Sequence, residues 1–193
     1  MTVVAAIATG GRVIMAADTV SQYVGTMVQG ARKIRRLQAG STEVLLTGSG
    51  NGAIVQLADR LLKIDAVPED GASEQDWDEW AAVIASAVTE LLAEVNPPMT
   101  VVNPNDQGRS IDGAFLLGAA GRLWYLFTHQ ALRVTDNFAA LGSGSELALG
   151  ILAAGEMTVF TSPEALTKYA VQVACRYDPY CAVDARGPQV ETL

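Results

Sequence analysis

Hydrophobic positions along this chain alternate between two periods, and the switches between them mark out the elements. Residues 2–8 form an apolar, β-rich run, Gly10-Gly11 breaks it, and residues 12–17 form a second run of the same kind. Together they predict a hairpin. Further strands are predicted over residues 33–37 and 43–47, the latter running into Gly48-Ser49-Gly50-Asn51-Gly52. Helical spacing then takes over at residues 53–63, with Ile54, Leu57, Ala58, Leu61 and Leu62 on one face. Residues 64–75 are acidic and punctuated by Gly and Pro, predicting a surface loop. A long helix is predicted over residues 76–95, where Trp77, Trp80, Ala81, Ile84, Ala87, Val88, Leu91, Leu92 and Val95 recur at helical spacing, and Asn96-Pro97-Pro98 stops it.

Residues 103–110 are rich in turn formers. Residues 112–119 and 123–127 predict a second hairpin about Gly121, followed by a strand at 138–141. The segment 142–145 opens a helix that runs through Ala154. Ser162 and Pro163 read as the N-cap and first position of a last helix reaching Arg176, and residues 190–193 predict a closing strand. Strands grouped in blocks, rather than alternating one by one with helices, point to antiparallel sheets and an α+β class. The order fits two sheets packed face to face with helices on both outer faces. A chain of 193 residues without an internal repeat reads as one domain, 1–193.

Composition removes several function classes. Half the residues are apolar, but no uninterrupted run approaches the ~18 needed to span a bilayer. The chain enters its first strand without a basic and apolar leader, so a cytoplasmic location is expected. Net charge is −8, and the one dense basic cluster, Arg32, Lys33, Arg35 and Arg36, is too small for a nucleic-acid footprint. Such a strand reads as one solvated face and one functional face. Cys175 and Cys181 are too few for a disulfide scaffold and read as reduced packing thiols. The single His129 reads as a turn residue. Gly142-Ser143-Gly144 precedes a helix, yet Leu147 stands where a dinucleotide fingerprint needs its third Gly.

Candidate chemistry lies in the first 33 residues. A Thr hydroxyl is a weak nucleophile unless a base takes its proton, and a Thr at a free N-terminus carries that base in its own α-amine. Thr2 follows Met1, and a small second residue generally permits removal of the initiator Met. The amine, with an ordinary pKa of about 7.7–8.0, is depressed further by a neighbouring ammonium. Lys33 is the candidate for that ammonium, with Asp18 holding it.

These residues sit in motifs that resemble the proteasome β-subunit family, and within it the bacterial HslV peptidases. TVVAAIATGGRVIMAAD, residues 2–18, is similar to the family's opening hairpin, and ARKIRRL, residues 31–37, resembles the strand bearing its Lys. TGSGNGA, residues 47–53, is similar to the Gly-rich turn that supplies an oxyanion-hole amide, which the resemblance assigns to Gly48. ALGSGSELALG, residues 140–150, resembles the family's turn into its third helix and places Ser143 at a supporting Ser; the residue itself reads as a helix cap able to hydrogen-bond the Thr2 amine. RYDPYC, residues 176–181, matches an Arg-Asp-x-x-Ser pattern at Asp178, with Cys181 in place of the Ser. Val3 follows Thr2 where HslV typically carries a second Thr.

The resemblance implies an N-terminal nucleophile hydrolase fold, a four-layer αββα sandwich, and a threonine endopeptidase with Thr2, Asp18, Lys33, Gly48, Ser143 and Asp178 as site residues. It also implies stacked homo-oligomeric rings, polypeptide substrates and an AAA+ ATPase unfoldase as partner, with no nucleic acid or membrane. No cofactor is required. Main-chain carbonyls of Cys175, Asp178 and Cys181 are candidates for a structural monovalent or divalent cation. Two other readings stay open: a catalytically silent ring protein that retains Met1 and serves assembly or as a compartment, and an amidohydrolase of the same architecture acting on a small amide.

Overall fold

The computed structural model describes residues 2–23, 26–102, 108–156 and 162–193. Its first elements are strands β1 (Val3–Thr9), β2 (Arg12–Ala17), β3 (Val20–Tyr23), β4 (Thr26–Gln29), β5 (Ile34–Ala39) and β6 (Thr42–Gly50). Helices α1 (Gly52–Leu61) and α2 (Glu74–Glu94) follow. Then come β7 (Thr100–Val102), β8 (Arg109–Ile111), β9 (Gly113–Ala119), β10 (Arg122–Phe127), β11 (Gln130–Arg133) and β12 (Phe138–Gly142). Helices α3 (Ser145–Glu156) and α4 (Pro163–Tyr177) and strand β13 (Gln189–Thr192) complete the order.

The strands form two main antiparallel sheets, ordered β12-β1-β2-β13 and β11-β10-β9-β6-β5. Gly10 and Gly11, both at positive φ, close the β1–β2 hairpin in the two-residue turn that suits the right-handed twist of its strands. Three apolar clusters account for the hydrophobic pattern. Val4 and Ala6 of β1 and Val13 and Met15 of β2 pack with Ile34, Leu45, Leu116 and Leu123 of the second sheet. The opposite face of β1 and β2, through Val3, Ala5 and Ala16, meets Ala148 and Leu152 of α3 and Leu166, Ala170 and Ala174 of α4. Leu46, Phe115, Leu117 and Trp124, on the far side of the second sheet, pack against Ile54 and Ala58 of α1 and Trp77, Ile84 and Val88 of α2. Strands buried on both faces read as continuous apolar runs, as β1 and β2 do.

The predicted hairpins, long helices and closing strand are present with ends that coincide or shift by up to three residues. The helix expected from residue 76 begins at Glu74, because Ser73 caps it: the Ser73 hydroxyl accepts from Asp76 N, and the Asp76 carboxylate accepts from Ser73 N. Five strands are additional to those expected. They are β3, β4, β7, β8 and β11: β4, β7 and β11 carry mostly solvent-facing positions, and β3 and β8 are too short to show the apolar alternation that signals a strand. His129 is a turn residue with φ 53°, its N–H donating to Thr89 Oγ1. Part of the turn expected at 103–110 lies outside the described residues, as does Met1. No described helix is long and apolar enough to cross a membrane.

Candidate active site

The β1–β2 register brings the first two candidates together. Val4 pairs with Ala17, so the chain ends just outside that pair meet: Asp18 N donates to Val3 O at 3.1 Å and Val3 N to Asp18 Oδ1 at 3.0 Å. Thr2 Oγ1 then donates to the same carboxylate oxygen at 2.7 Å. Lys33 arrives from the other sheet, immediately before β5. Its Nζ lies 2.8 Å from both Asp18 oxygens and 2.9 Å from Val20 O. Asp18 is fully buried and the Lys33 side chain is 10% exposed. A buried ion pair is tolerable only when both partners are present and hydrogen-bonded, and here they are.

A residue that sequence reasoning passed over sets the Lys33 position. Gln189 of β13 accepts from Lys33 N at 2.8 Å and Ile34 N at 3.1 Å and donates to Ile34 O at 2.9 Å. Its side chain thereby stands in for a ladder partner and fastens β5 of one sheet to β13 of the other. Thr19, next to Asp18, is pinned by the same C-terminal segment, with its N–H donating to Ala182 O and its hydroxyl accepting from Asp184 N. Only proximity in the fold reveals either role.

Gly48 lies in β6 and lines, with Thr2, Lys33, Arg35 and Val55, a cavity of about 190 Å3. A Cβ at Gly48 would fall 2.9 Å from Val55 Cγ2 and 3.0 Å from Ala114 O, so the backbone there sits where a side chain does not fit. Gly142 is constrained more severely. Its φ is 100°, and a Cβ would lie 2.1 Å from Thr2 O. Thr2 is therefore held between the second sheet and the turn into α3.

Ser143 and Asp178 are both brought to this turn. Ser143 Oγ donates to the Thr2 carbonyl at 3.3 Å, and the neighbouring Gly142 pairs with Val3. Asp178 caps the C-terminal end of α4, its N–H donating to Ala174 O at 2.8 Å. Its carboxylate accepts from Tyr180 N at 2.9 Å and from the Cys181 thiol at 3.1 Å. The thiol in turn lies 3.5 Å from Ser143 Oγ. Burial pushes the Asp178 carboxyl upward, but the Tyr180 N–H, the Cys181 thiol and the Ser143 hydroxyl outweigh it and hold it below the usual range. Burial pushes both thiols, Cys175 and Cys181, up to about 12, which makes them packing groups rather than nucleophiles.

Among the described residues no group of three His, Cys, Asp or Glu side chains could hold a metal ion. The candidate carbonyls are of another kind. The Cys175 carbonyl belongs to the last turn of α4, where helix carbonyls lack an intrahelical donor, while Asp178 O accepts from Cys181 N at 3.2 Å. Neutral carbonyl oxygens at a helix end suit a hard cation in type.

Neither a sequence-family profile nor a curated protein sequence matches the chain. Solved structures do. Thiobacillus denitrificans BPH, a protein also solved in complex with epoxomicin, superposes with a TM-score of 0.74 at 19% identity over 99% of this chain and 97% of that one. HslV from Trypanosoma brucei gives 0.64 at 17% identity over 99% and 98%. Anbu from Pseudomonas aeruginosa, solved as a helical assembly, gives 0.62 at 18% over 99% and 80%. The chain has the fold of the proteasome- and HslV-like N-terminal nucleophile hydrolases.

Proposed function

We propose that this chain is a threonine-type endopeptidase subunit of a proteasome-like or HslV-like ring complex. The observation that carries the reading is the buried Thr2–Asp18–Lys33 cluster opening onto a cavity that Gly48 also lines. The three apolar clusters support the four-layer α-β-β-α sandwich, with the site at the rim between the two sheets.

After removal of Met1, the Thr2 hydroxyl attacks the carbonyl carbon of a peptide bond. Its proton passes to the Thr2 amine, directly or through water, and then to the leaving amine as the C–N bond breaks. Lys33 keeps the amine's proton affinity low, and Asp18 orients both Lys33 and the Thr2 hydroxyl. The Gly48 N–H stabilises the oxyanion, an effect of about 3–4 kcal/mol in comparable sites. Water then hydrolyses the Thr2 ester and regenerates the hydroxyl. Ser143 and Asp178, linked through Cys181, fix the Thr2 backbone. A cation at the carbonyls of Cys175, Asp178 and Cys181 would brace the turn after α4 and take no part in these steps.

A nucleophile with so general a reaction requires confinement, which stacked rings of this chain supply. The exposed Met27, Val28, Val101 and Val102 offer apolar surface for contacts between copies, and the Anbu helical assembly is a precedent in the same fold. Folded polypeptides would need an AAA+ ATPase to deliver them. Assembly and delivery are consistent with a soluble, cytoplasmic particle.

Covalent labelling by a peptide epoxyketone tests the reading, since the reagent needs both the hydroxyl and the free amine of an N-terminal Thr. Labelling at Thr2 in Met1-free protein, lost in Thr2→Ala, is the expected result. An intact mass that includes Met1 in native material would instead support a catalytically silent ring protein.

A further inference from the structure

Among the described residues, the cavity beside Thr2 is walled by cations and neutral groups. Arg32, Lys33 and Arg35 line it, and no described Asp or Glu does, in a chain whose net charge is −8. The three cations are not equivalent. Lys33 is committed to both oxygens of Asp18, and Arg32, 70% exposed, pairs with Glu191 at 3.3 Å. Arg35 is only 23% exposed, yet its one ion pair among the described residues is a long one, Nη1 to Asp59 Oδ2 at 3.4 Å. Its buried Nε has no hydrogen-bond partner among the described residues. A guanidinium carries five donors, so Arg35 stands at the cavity wall with donors that no described acceptor takes up.

Two further features add to the positive potential. Residues two apart on a strand share a face, so Arg35 of β5 stands on the same side as Lys33, next along the cavity from the nucleophile. The N-terminus of the ten-residue helix α1, at Asn51 and Gly52, also lines the cavity, and its first turn carries no acidic residue. At about 190 Å3 the space has room for one side chain such as Glu.

We propose that this cavity receives the carboxylate side chain, Glu or Asp, of the substrate residue whose carbonyl Thr2 attacks, with Arg35 as the specificity-determining partner. The inference rests on the peptidase reading. A free C-terminal carboxylate offers the same chemistry from another source, and the two are separable by experiment.

The test compares kcat/KM of the assembled protein for fluorogenic peptides that differ only in placing Glu, Gln, Leu or Lys at that position. Charge-assisted hydrogen bonds should favour Glu over the isosteric Gln by about 10- to 100-fold. Arg35→Gln should bring Glu and Gln to within about twofold of each other, and Asp59→Asn, which releases Arg35 from its one partner, should widen the preference. Equal rates for Glu and Gln, or a Glu preference that survives Arg35→Gln, would overturn the proposal. Binding to Thr2→Ala protein provides a readout without catalysis, using peptide amides ending in Glu or Gln and a Leu-terminated peptide with a free carboxylate. Cleavage without Glu selectivity removes the acidic subsite and leaves the peptidase reading intact. Absence of cleavage together with tighter, Arg35-dependent binding of the Glu amide removes the peptidase reading and supports the subsite. Arg35-dependent binding of the free Leu carboxylate, equal to that of the Glu amide, would overturn the side-chain assignment.

Discussion

Asp18 has three claims on one carboxylate: the Thr2 hydroxyl, the Val3 N–H and the Lys33 ammonium. Removing the cation while leaving the carboxylate buried should therefore be costly. Lys33→Met is expected to lower unfolding free energy by about 3–5 kcal/mol in urea titration, and the double variant with Asp18→Asn to recover part of that stability without recovering activity. Gly48→Ala acts differently. Its Cβ must push against Val55 and Ala114 O, shifting the amide proposed to hold the oxyanion, so kcat should fall by about 10²- to 10³-fold while the protein stays folded by circular dichroism. The cysteines supply a pH prediction. Their thiols are pushed up to about 12 in the folded chain, against about 8.5 when unfolded, so between those values the unfolded state has lost protons that the folded state keeps. Their contribution to stability is full below about pH 8.5 and is lost as pH rises toward 12, and Cys175→Ala should make the alkaline decline of thermal midpoint shallower.

At the scale of elements, caps and registers position the site. Asn51 caps α1 by accepting from Ala53 N at 3.1 Å, and this end of the helix also walls the cavity beside Thr2. Asn51→Ala should cost about 1 kcal/mol in chemical denaturation, and the measurement fails the argument if the stability is unchanged. The β1–β2 hairpin was legible because a two-Gly turn between two apolar runs leaves one register, and that register delivers Asp18 to Thr2. β4 was not legible: all four of its positions face solvent, so no hydrophobic period distinguishes it from a loop. Within the basic strand, Arg32, Lys33 and Arg35 line the cavity, whereas Arg36 pairs with Glu43 and Glu191.

Across the whole molecule, the C-terminal strand completes what the N-terminal strands begin. Gln189 satisfies the backbone of Lys33 and Ile34, so Gln189→Ala leaves two N–H groups without their partner and loosens the Lys33 anchor. Stability should fall by about 1–3 kcal/mol, and activity should fall by more than the unfolded fraction explains when both are measured on the same preparation. By itself the sequence determined the two hairpins, the four helices, the packing of apolar faces and the Thr2, Asp18 and Lys33 candidates, because each is written in local periodicity, turn chemistry or a recognisable motif. The tertiary structure alone decided that Ser143 meets the Thr2 carbonyl, that Gln189 clasps β5, and that Arg35 is left short of acceptors beside Thr2. Those are relations between residues on separate elements, set by how two sheets pack, and no spacing along the chain encodes them.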